Sequence, residues 1–184
     1  MLMYTLFKSM NNGRGILSAC LMSLALLLSL GSRAQDKNYT VYANIIYRFT
    51  KYVDWPGSKK TGDFVIGIVG DSPLYDDLKS FIVNKTVGNQ KIVVSKMSTS
   101  ANAYPCQLLF ITEQESGSVK RIAQLTAGEP ILIVSESGGM AHRGACINFT
   151  TVEEHLKLEI NKSNIDQRNL RVASELLELA TIIK

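Results

Sequence analysis

The chain has 184 residues, of which 46% are hydrophobic and 20% charged, and its formal net charge is +4. The first 34 residues contain three of the 20 basic side chains and none of the 16 acidic ones, so the rest of the chain carries 17 basic and 16 acidic side chains, a net charge of +1. This balance argues against a strongly basic nucleic-acid binder or a protein that binds anionic membranes.

The N-terminal segment has the order of a secretory signal peptide. Two basic residues precede an uncharged, mostly apolar run at residues 16–30, and the small residues Ser32 and Ala34 follow it. The pattern predicts a cleaved signal over residues 1–34 and a single domain over residues 35–184. The alternative is an uncleaved anchor, which the shortness of the apolar run disfavours.

Residues 39–53 predict an amphipathic helix whose apolar and aromatic side chains recur at helical spacing. The stripe consists of Tyr42, Ile45, Ile46, Phe49, Tyr52 and Val53. The helix is expected to end before Pro56, because the residue before a proline is pushed out of the helical conformation. Tyr47 lies off the stripe and Trp55 lies beyond the helix end. These two residues are therefore candidates for an exposed aromatic patch, and the alternative is that both pack inside.

The rest of the chain alternates apolar runs with helical patterns. Strands are predicted at 63–70, 90–97, 106–112 and 130–136, a strand hairpin at 145–161, and helices at 71–84, 116–128 and 164–183. The hairpin is expected to turn at Glu153-Glu154, and the last helix is best supported from Val172 to Ile183. Alternating strands and helices predict an α/β domain with a mostly parallel sheet, which the hairpin makes mixed. Continuous apolar strands are typical of a sheet covered on both faces.

A glycine-rich loop at residues 138–144 is the second unusual segment. Its glycines allow tight or left-handed backbone, which would leave Met140, His142 and Arg143 at the surface. Met and Arg are favoured at protein interfaces, so the loop is a candidate for recognising a protein partner. The alternative is a plain connection between two strands.

Catalytic and metal-binding patterns are weak. The "GIVGDSP" junction has two glycines where a dinucleotide site needs three, and Asp71 follows them at once and would repel phosphate. The two histidines, His142 and His155, lie 13 residues apart. A metal site that joins them with Cys146 or Glu154 is disfavoured because His155 is expected to open an edge strand, where a solvated polar residue is ordinary. A Cys146–His142 nucleophile pair is disfavoured because Cys146 lies in a core-like apolar run. We expect no metal, no cofactor and no enzymatic activity.

Two cysteines remain after the predicted signal is removed. In an exported chain, Cys106 and Cys146 form a candidate disulfide. Each also begins an apolar, strand-like run, so the alternative is a pair of buried thiols.

Six segments in the same order resemble the YfiR-type periplasmic proteins over nearly all of residues 39–184. They are "ANIIYRFTKYVDWP", "FVIGIVGDSPLYDDL", "CQLLFIT", "PILIVSESGGMAHRGACINF", "LKLEIN" and "NLRVASELLELATII". A helix that ends in Trp-Pro, Gly-Asp after the first strand and a Gly…Ile-Asn-Phe strand are fairly specific in combination.

The resemblance implies a Rossmann-like, three-layer α/β domain in the periplasm of a double-membraned bacterium. It implies a non-enzymatic regulator that represses an inner-membrane diguanylate cyclase by binding its periplasmic part; related domains accompany sensor kinases. An outer-membrane, peptidoglycan-associated lipoprotein would relieve the repression by sequestering the regulator, so that cyclic di-GMP and biofilm output rise. Homodimers are expected in such a family.

A regulator of this kind needs a surface that prefers one state of its partner. The residues expected to form it are Tyr47, Trp55, Met140, His142 and Arg143. The alternative function is a periplasmic small-molecule sensor in which Trp55 and Tyr47 line a pocket.

Overall fold

The computed structural model of the protein describes residues 37–183. The predicted signal peptide over residues 1–34 lies outside the described residues. In the described part of the chain, no helix combines the length and apolar character that crossing a bilayer would need.

The described chain contains ten strands and five α-helices. The strands are β1 Val53–Asp54, β2 Phe64–Val69, β3 Thr86–Val87, β4 Gln90–Met97, β5 Leu108–Ile111, β6 Leu132–Ser135, β7 Ile147–Val152, β8 His155–Asn161, β9 Arg171–Val172 and β10 Thr181–Ile183. The helices are α1 Tyr39–Tyr52, α2 Leu74–Phe81, α3 Val119–Leu125, α4 Lys162–Asp166 and α5 Ser174–Glu178. Short 3-10 helices lie at Gly57–Lys59, Ser116–Ser118 and Met140–Arg143.

Eight strands form one mixed sheet in the order β10-β8-β7-β6-β5-β2-β4-β3. Strands β4, β2, β5, β6 and β7 are neighbours in that order, and each pair is parallel. Strand β8 runs antiparallel to β7. The predicted α/β class and the mostly parallel mixed sheet are thus confirmed. The hairpin turns at Glu153 and Glu154, as predicted, with φ angles of 50° and 63°.

Helix α1 covers one face of the sheet with the predicted stripe. Asn38 caps it by accepting a hydrogen bond from the backbone N–H of Val41. Tyr42 stacks on Phe149 of β7 with ring centroids 4.5 Å apart, and the Phe49 ring lies 6.1 Å from the same phenylalanine. The helix therefore owes its position to aromatic burial against the sheet.

The opposite face carries α3 and α4. Along a strand, side chains an odd number of residues apart point to opposite faces, so Cys146 and Phe149 do not share a face. The Cys146 thiol lies against Arg168, which follows α4. The Arg168 guanidinium donates to backbone oxygens of Ala123 and Thr126 at the end of α3. Helices thus cover both faces of the sheet.

The predicted helix from Val172 to Ile183 is wrong over most of its length. Val172 belongs to β9 and pairs with Val53 of β1, whereas Thr181–Ile183 form β10 and pair in parallel with β8. Only the five residues of α5 between them are helical. Backbone pairing with two distant strands overrides the local helical preference.

The candidate disulfide between Cys106 and Cys146 is not formed, and both residues are free and buried. They precede β5 and β7, which lie on either side of β6. Two strand spacings amount to about 10 Å, and a disulfide needs Cα atoms within about 7 Å. The alternative interpretation, two buried thiols, holds in the structure.

Neither thiol is expected to react with iodoacetamide at pH 8 in the folded protein. Burial raises the pKa of Cys106 to about 12 and that of Cys146 to about 11, so almost no thiolate is present. Because the folded-state pKa values exceed those of the unfolded chain, both thiols lower stability as pH rises above about 9. Mass spectrometry of native and urea-unfolded samples checks this. Labelling of either cysteine in the native sample would contradict the expectation, and cysteines that stay unlabelled after unfolding until a reductant is added would contradict the assignment of free thiols.

Candidate functional site

Tyr47 lies in a cluster of rings and ammonium groups formed by α1, α2 and the turn after α2. We call this cluster the α1–α2 surface, and its members are Tyr47, Lys51, Phe81 and Lys85. The Tyr47 and Phe81 rings meet nearly edge to face, with centroids 6.0 Å apart. The Lys51 Nζ lies 5.1 Å from the centre of the Tyr47 ring, and the Lys85 Nζ lies 4.5 Å from that of Phe81.

The charges of the α1–α2 surface have no carboxylate partner in the described part of the chain. Lys51 donates to the backbone oxygen of Thr86 at 3.3 Å, and within residues 37–183 neither Lys51 nor Lys85 forms a salt bridge. Tyr47 and Phe81 are half-buried, so their exposed edges lie between cations. Tyrosine is enriched among the residues that dominate protein interfaces, and an ammonium group is attracted to the face of an aromatic ring.

Trp55 is not part of an exposed aromatic patch, which corrects the expectation from the sequence. Its side chain is 4% exposed, its indole N–H donates to the backbone oxygen of Gln107 at 3.0 Å, and its ring meets Phe64 edge to face at 5.0 Å. Pairing of β1 with β9 holds the end of α1 over β2, and the ring turns inward there. The indole is therefore part of the core.

A groove of about 650 Å³ lies above Trp55, and we call it the Trp55 groove. Its walls are the end of α1, the β1–β9 pair and the β3–β4 turn. Charged side chains line it, and Asp54 and Lys60 among them form a salt bridge at 2.7 Å. Lys51 belongs both to this groove and to the α1–α2 surface, so the two are contiguous. Arg171, also in the lining, comes from β9, which the sequence places in a helix.

The glycine-rich loop contains a 3-10 turn that side-chain hydrogen bonds hold in place. It lies between Gly139 and Gly144, whose φ angles are 76° and 111°. The side-chain amides of Asn161 and Asn164 donate to the Ala141 oxygen at 3.2 and 2.8 Å, and Asn164 also donates to the Ala145 oxygen. These bonds fix the loop backbone, so its outward side chains are held by the scaffold.

His142 and Arg143 are exposed on this loop, as predicted, and Met140 is half-buried against the core. A Cβ atom placed on Gly144 would lie 2.5 Å from the Cβ of Ala123, so the loop packs directly on α3. It therefore lies on the α3–α4 face, opposite to α1. The five residues expected to form one surface are divided between two faces, with Trp55 in the core.

The candidate metal and nucleophile groupings are not assembled. In residues 37–183 no group of three or more His, Cys, Asp or Glu side chains could hold a metal ion. Cys146 is fully buried, and burial raises its pKa to about 11, so it lacks the properties of a nucleophile.

Comparison with known proteins gives one match. A protein-family model described as YfiR/HmsC-like matches residues 39–181, which is most of the chain. A search for similar sequences among curated proteins gives no match.

Proposed function

Because the chain belongs to the YfiR/HmsC-like family, whose members are periplasmic, non-catalytic regulators of diguanylate cyclase, we propose that it binds the periplasmic part of an inner-membrane signalling protein and holds that protein inactive. That signalling protein would be a diguanylate cyclase or a sensor kinase. The predicted signal peptide would deliver the chain to the periplasm. The family match over residues 39–181 is the observation that carries this proposal.

The α1–α2 surface is the docking site that we propose for the inner-membrane partner. It offers two aromatic edges and two ammonium groups without a carboxylate partner in the described chain, and it continues into the Trp55 groove. A partner segment with carboxylates at its rim and an apolar anchor would complement it. Trp55 would act from beneath, by fixing the groove floor.

Repression by binding requires a difference in affinity between two states of the partner. A 100-fold preference for the inactive state corresponds to about 2.7 kcal/mol. Two or three charge-assisted contacts that exist in only one state would supply this difference. A docking surface of a few residues is therefore sufficient, and no catalytic cleft is needed.

We propose a second contact region at Met140, His142 and Arg143 for the outer-membrane, peptidoglycan-associated lipoprotein that would release the repressor. The loop lies on the face opposite to the α1–α2 surface, so a second protein could engage it before the first dissociates. A homodimer, also implied by the family resemblance, belongs to this proposal.

Site-specific photo-crosslinking in intact cells tests the docking proposal. A photoreactive amino acid at position 85 should capture an inner-membrane signalling protein, identified by mass spectrometry. The matched control is position 157, an exposed lysine on β8. Equal capture from both positions would contradict docking at the α1–α2 surface, and capture of no membrane protein from any exposed position would contradict the regulatory function.

The second candidate function is a small-molecule sensor. The Trp55 groove has the volume of small-molecule sites, and Trp55 is the only tryptophan of the chain. A ligand in the groove should therefore change the tryptophan emission saturably, and Arg171→Ala should weaken the effect. Periplasmic metabolites that leave the emission unchanged would argue against this function.

A further inference from the structure

A second groove, of about 510 Å³, lies on the opposite face between α3, α4 and the glycine-rich loop. We call it the α3–α4 groove. Its lining includes Lys120 and Gln124 from α3, His142 and Arg143 from the loop, and Asn164 and Arg168 from α4 and the turn after it. The docking site proposed for the inner-membrane partner does not include this groove, whereas His142 and Arg143 in its lining also belong to the contact region proposed for the lipoprotein.

The lining of the α3–α4 groove is positively charged. Lys120, His142 and Arg143 are exposed at its rim, and Arg168 is only 5% exposed at its base. No carboxylate of the described residues lines the groove, and within residues 37–183 none of Lys120, Arg143 and Arg168 forms a salt bridge. Glu129 is the carboxylate whose charge acts on Arg168, and from outside the lining it opposes the lowering of that guanidinium's pKa by burial.

Burying the charged guanidinium of Arg168 costs free energy, because the group loses its hydration. Its guanidinium donates to the Thr126 backbone oxygen at 3.0 Å, to the Thr126 hydroxyl at 3.1 Å and to the Ala123 oxygen at 3.1 Å. All three acceptors are neutral, so they hold the group in place without cancelling its charge. Desolvation accordingly lowers the pKa of Arg168. A fixed guanidinium without a salt-bridge partner, beneath the exposed Lys120 and Arg143, creates a positive potential that is preorganised for an anion.

We propose that the α3–α4 groove binds a small organic anion that carries phosphate or carboxylate groups. Arginine and lysine at the rim would contact its oxygens directly, and Arg168 would contribute its charge from the base. The volume lies within the usual range for small-molecule sites. The hydrogen bonds of Asn161 and Asn164 fix the loop backbone, so the ordering cost of presenting Arg143 is limited to its side chain.

The inference goes beyond the proposed function, because it holds whichever partner docks at the α1–α2 surface. The groove lies on the other face, so an anion could bind while that surface is occupied. The site would then give the regulator an input for a chemical signal. It would also place the ligand against His142 and Arg143, where it would compete with a second protein partner.

Isothermal titration calorimetry of the purified protein with pyrophosphate and with citrate tests the site. At low ionic strength at least one of the two anions should bind, and added salt should weaken the binding because it screens the charges. Lys120→Gln and Arg143→Gln should each raise the dissociation constant by about fivefold. Lys91→Gln, which removes an exposed charge on β4, is the matched control and should change nothing.

The two anions distinguish the ligand classes. Tighter binding of pyrophosphate indicates a phosphate-bearing ligand, and tighter binding of citrate indicates a polycarboxylate. The proposal fails if both dissociation constants exceed roughly 1 mM at low salt. It also fails if Lys91→Gln weakens binding as much as Lys120→Gln does, because attraction would then reflect overall charge. The measurement needs no partner protein, so its result is independent of the docking test.

Discussion

Trp55→Ala is expected to lower the free energy of unfolding by about 3–5 kcal/mol, the usual cost of emptying a buried aromatic site. The Trp55 side chain is 4% exposed, and it contacts the ring of Phe64 edge to face. Its removal would open a cavity between β2 and the β1–β9 pair. It would also leave the Gln107 backbone oxygen without the indole N–H that it accepts at 3.0 Å. Urea denaturation followed by circular dichroism measures the loss.

Two further variants separate the contributions. Trp55→Phe keeps a ring but removes the donor, and we expect a smaller loss that includes about 1 kcal/mol for the hydrogen bond, because the Gln107 oxygen still accepts from the Leu132 backbone N–H at 2.9 Å. Tyr47→Ala truncates a half-buried ring at the surface, and it should cost less than Trp55→Ala. If Trp55→Ala and Tyr47→Ala destabilise the protein equally, the assignment of Trp55 to the core is wrong.

Helix α1 and the parallel strands could be predicted from the sequence because their signals are local. The stripe of Tyr42, Ile46 and Phe49 has helical spacing, and each central strand is a continuous apolar run ended by polar residues or glycine. The hairpin turn at Glu153-Glu154 follows from alternation in the second arm. In each case the apolar side chains whose spacing predicts the element are the same ones that pack in the core.

The C-terminal region could not be predicted, because its structure depends on distant partners. Val172, Leu176, Leu179 and Ile183 keep a helical spacing, yet they belong to β9, α5, the residue after α5, and β10. Leu176 is buried, whereas Leu179 is 70% exposed, so the spacing does not mark one buried face. Pairing with β1 and β8 decides the outcome, and periodicity carries no information about it.

The same dependence limited the prediction of the candidate sites. The exposure of His142 and Arg143 follows from the glycines around them, which is a local signal. The direction of Trp55 depends on the β1–β9 pair and on the Gln107 oxygen, which lies 52 residues away. Arg168 was missed for a similar reason. Its segment has the pattern of an ordinary helix, and only the packing of α4 on α3 shows that its guanidinium is buried.

Lys51→Glu combined with Lys85→Glu is expected to reduce capture of the inner-membrane partner by about 100-fold, because reversing rim charges places like charges opposite one another at a cost of several kcal/mol. The two ammonium groups lie 5.1 and 5.6 Å from the centre of the Tyr47 ring, so one change alters the potential over the whole surface. The fold should survive, since neither lysine forms a salt bridge within residues 37–183. Quantitative crosslinking from position 47 measures the loss.

The matched control is Lys91→Glu combined with Lys157→Glu, which changes the net charge by the same amount at exposed positions on β4 and β8. It should leave capture within about twofold of the unchanged protein, because separated surface charges contribute little. Thermal melting of both double variants shows whether the fold is kept. Equal losses in the two would mean that overall charge steers the encounter and that the α1–α2 surface is not the docking site. A loss confined to the Lys51 and Lys85 variant would place the contact at that surface, since the two proteins differ only in where the charges lie.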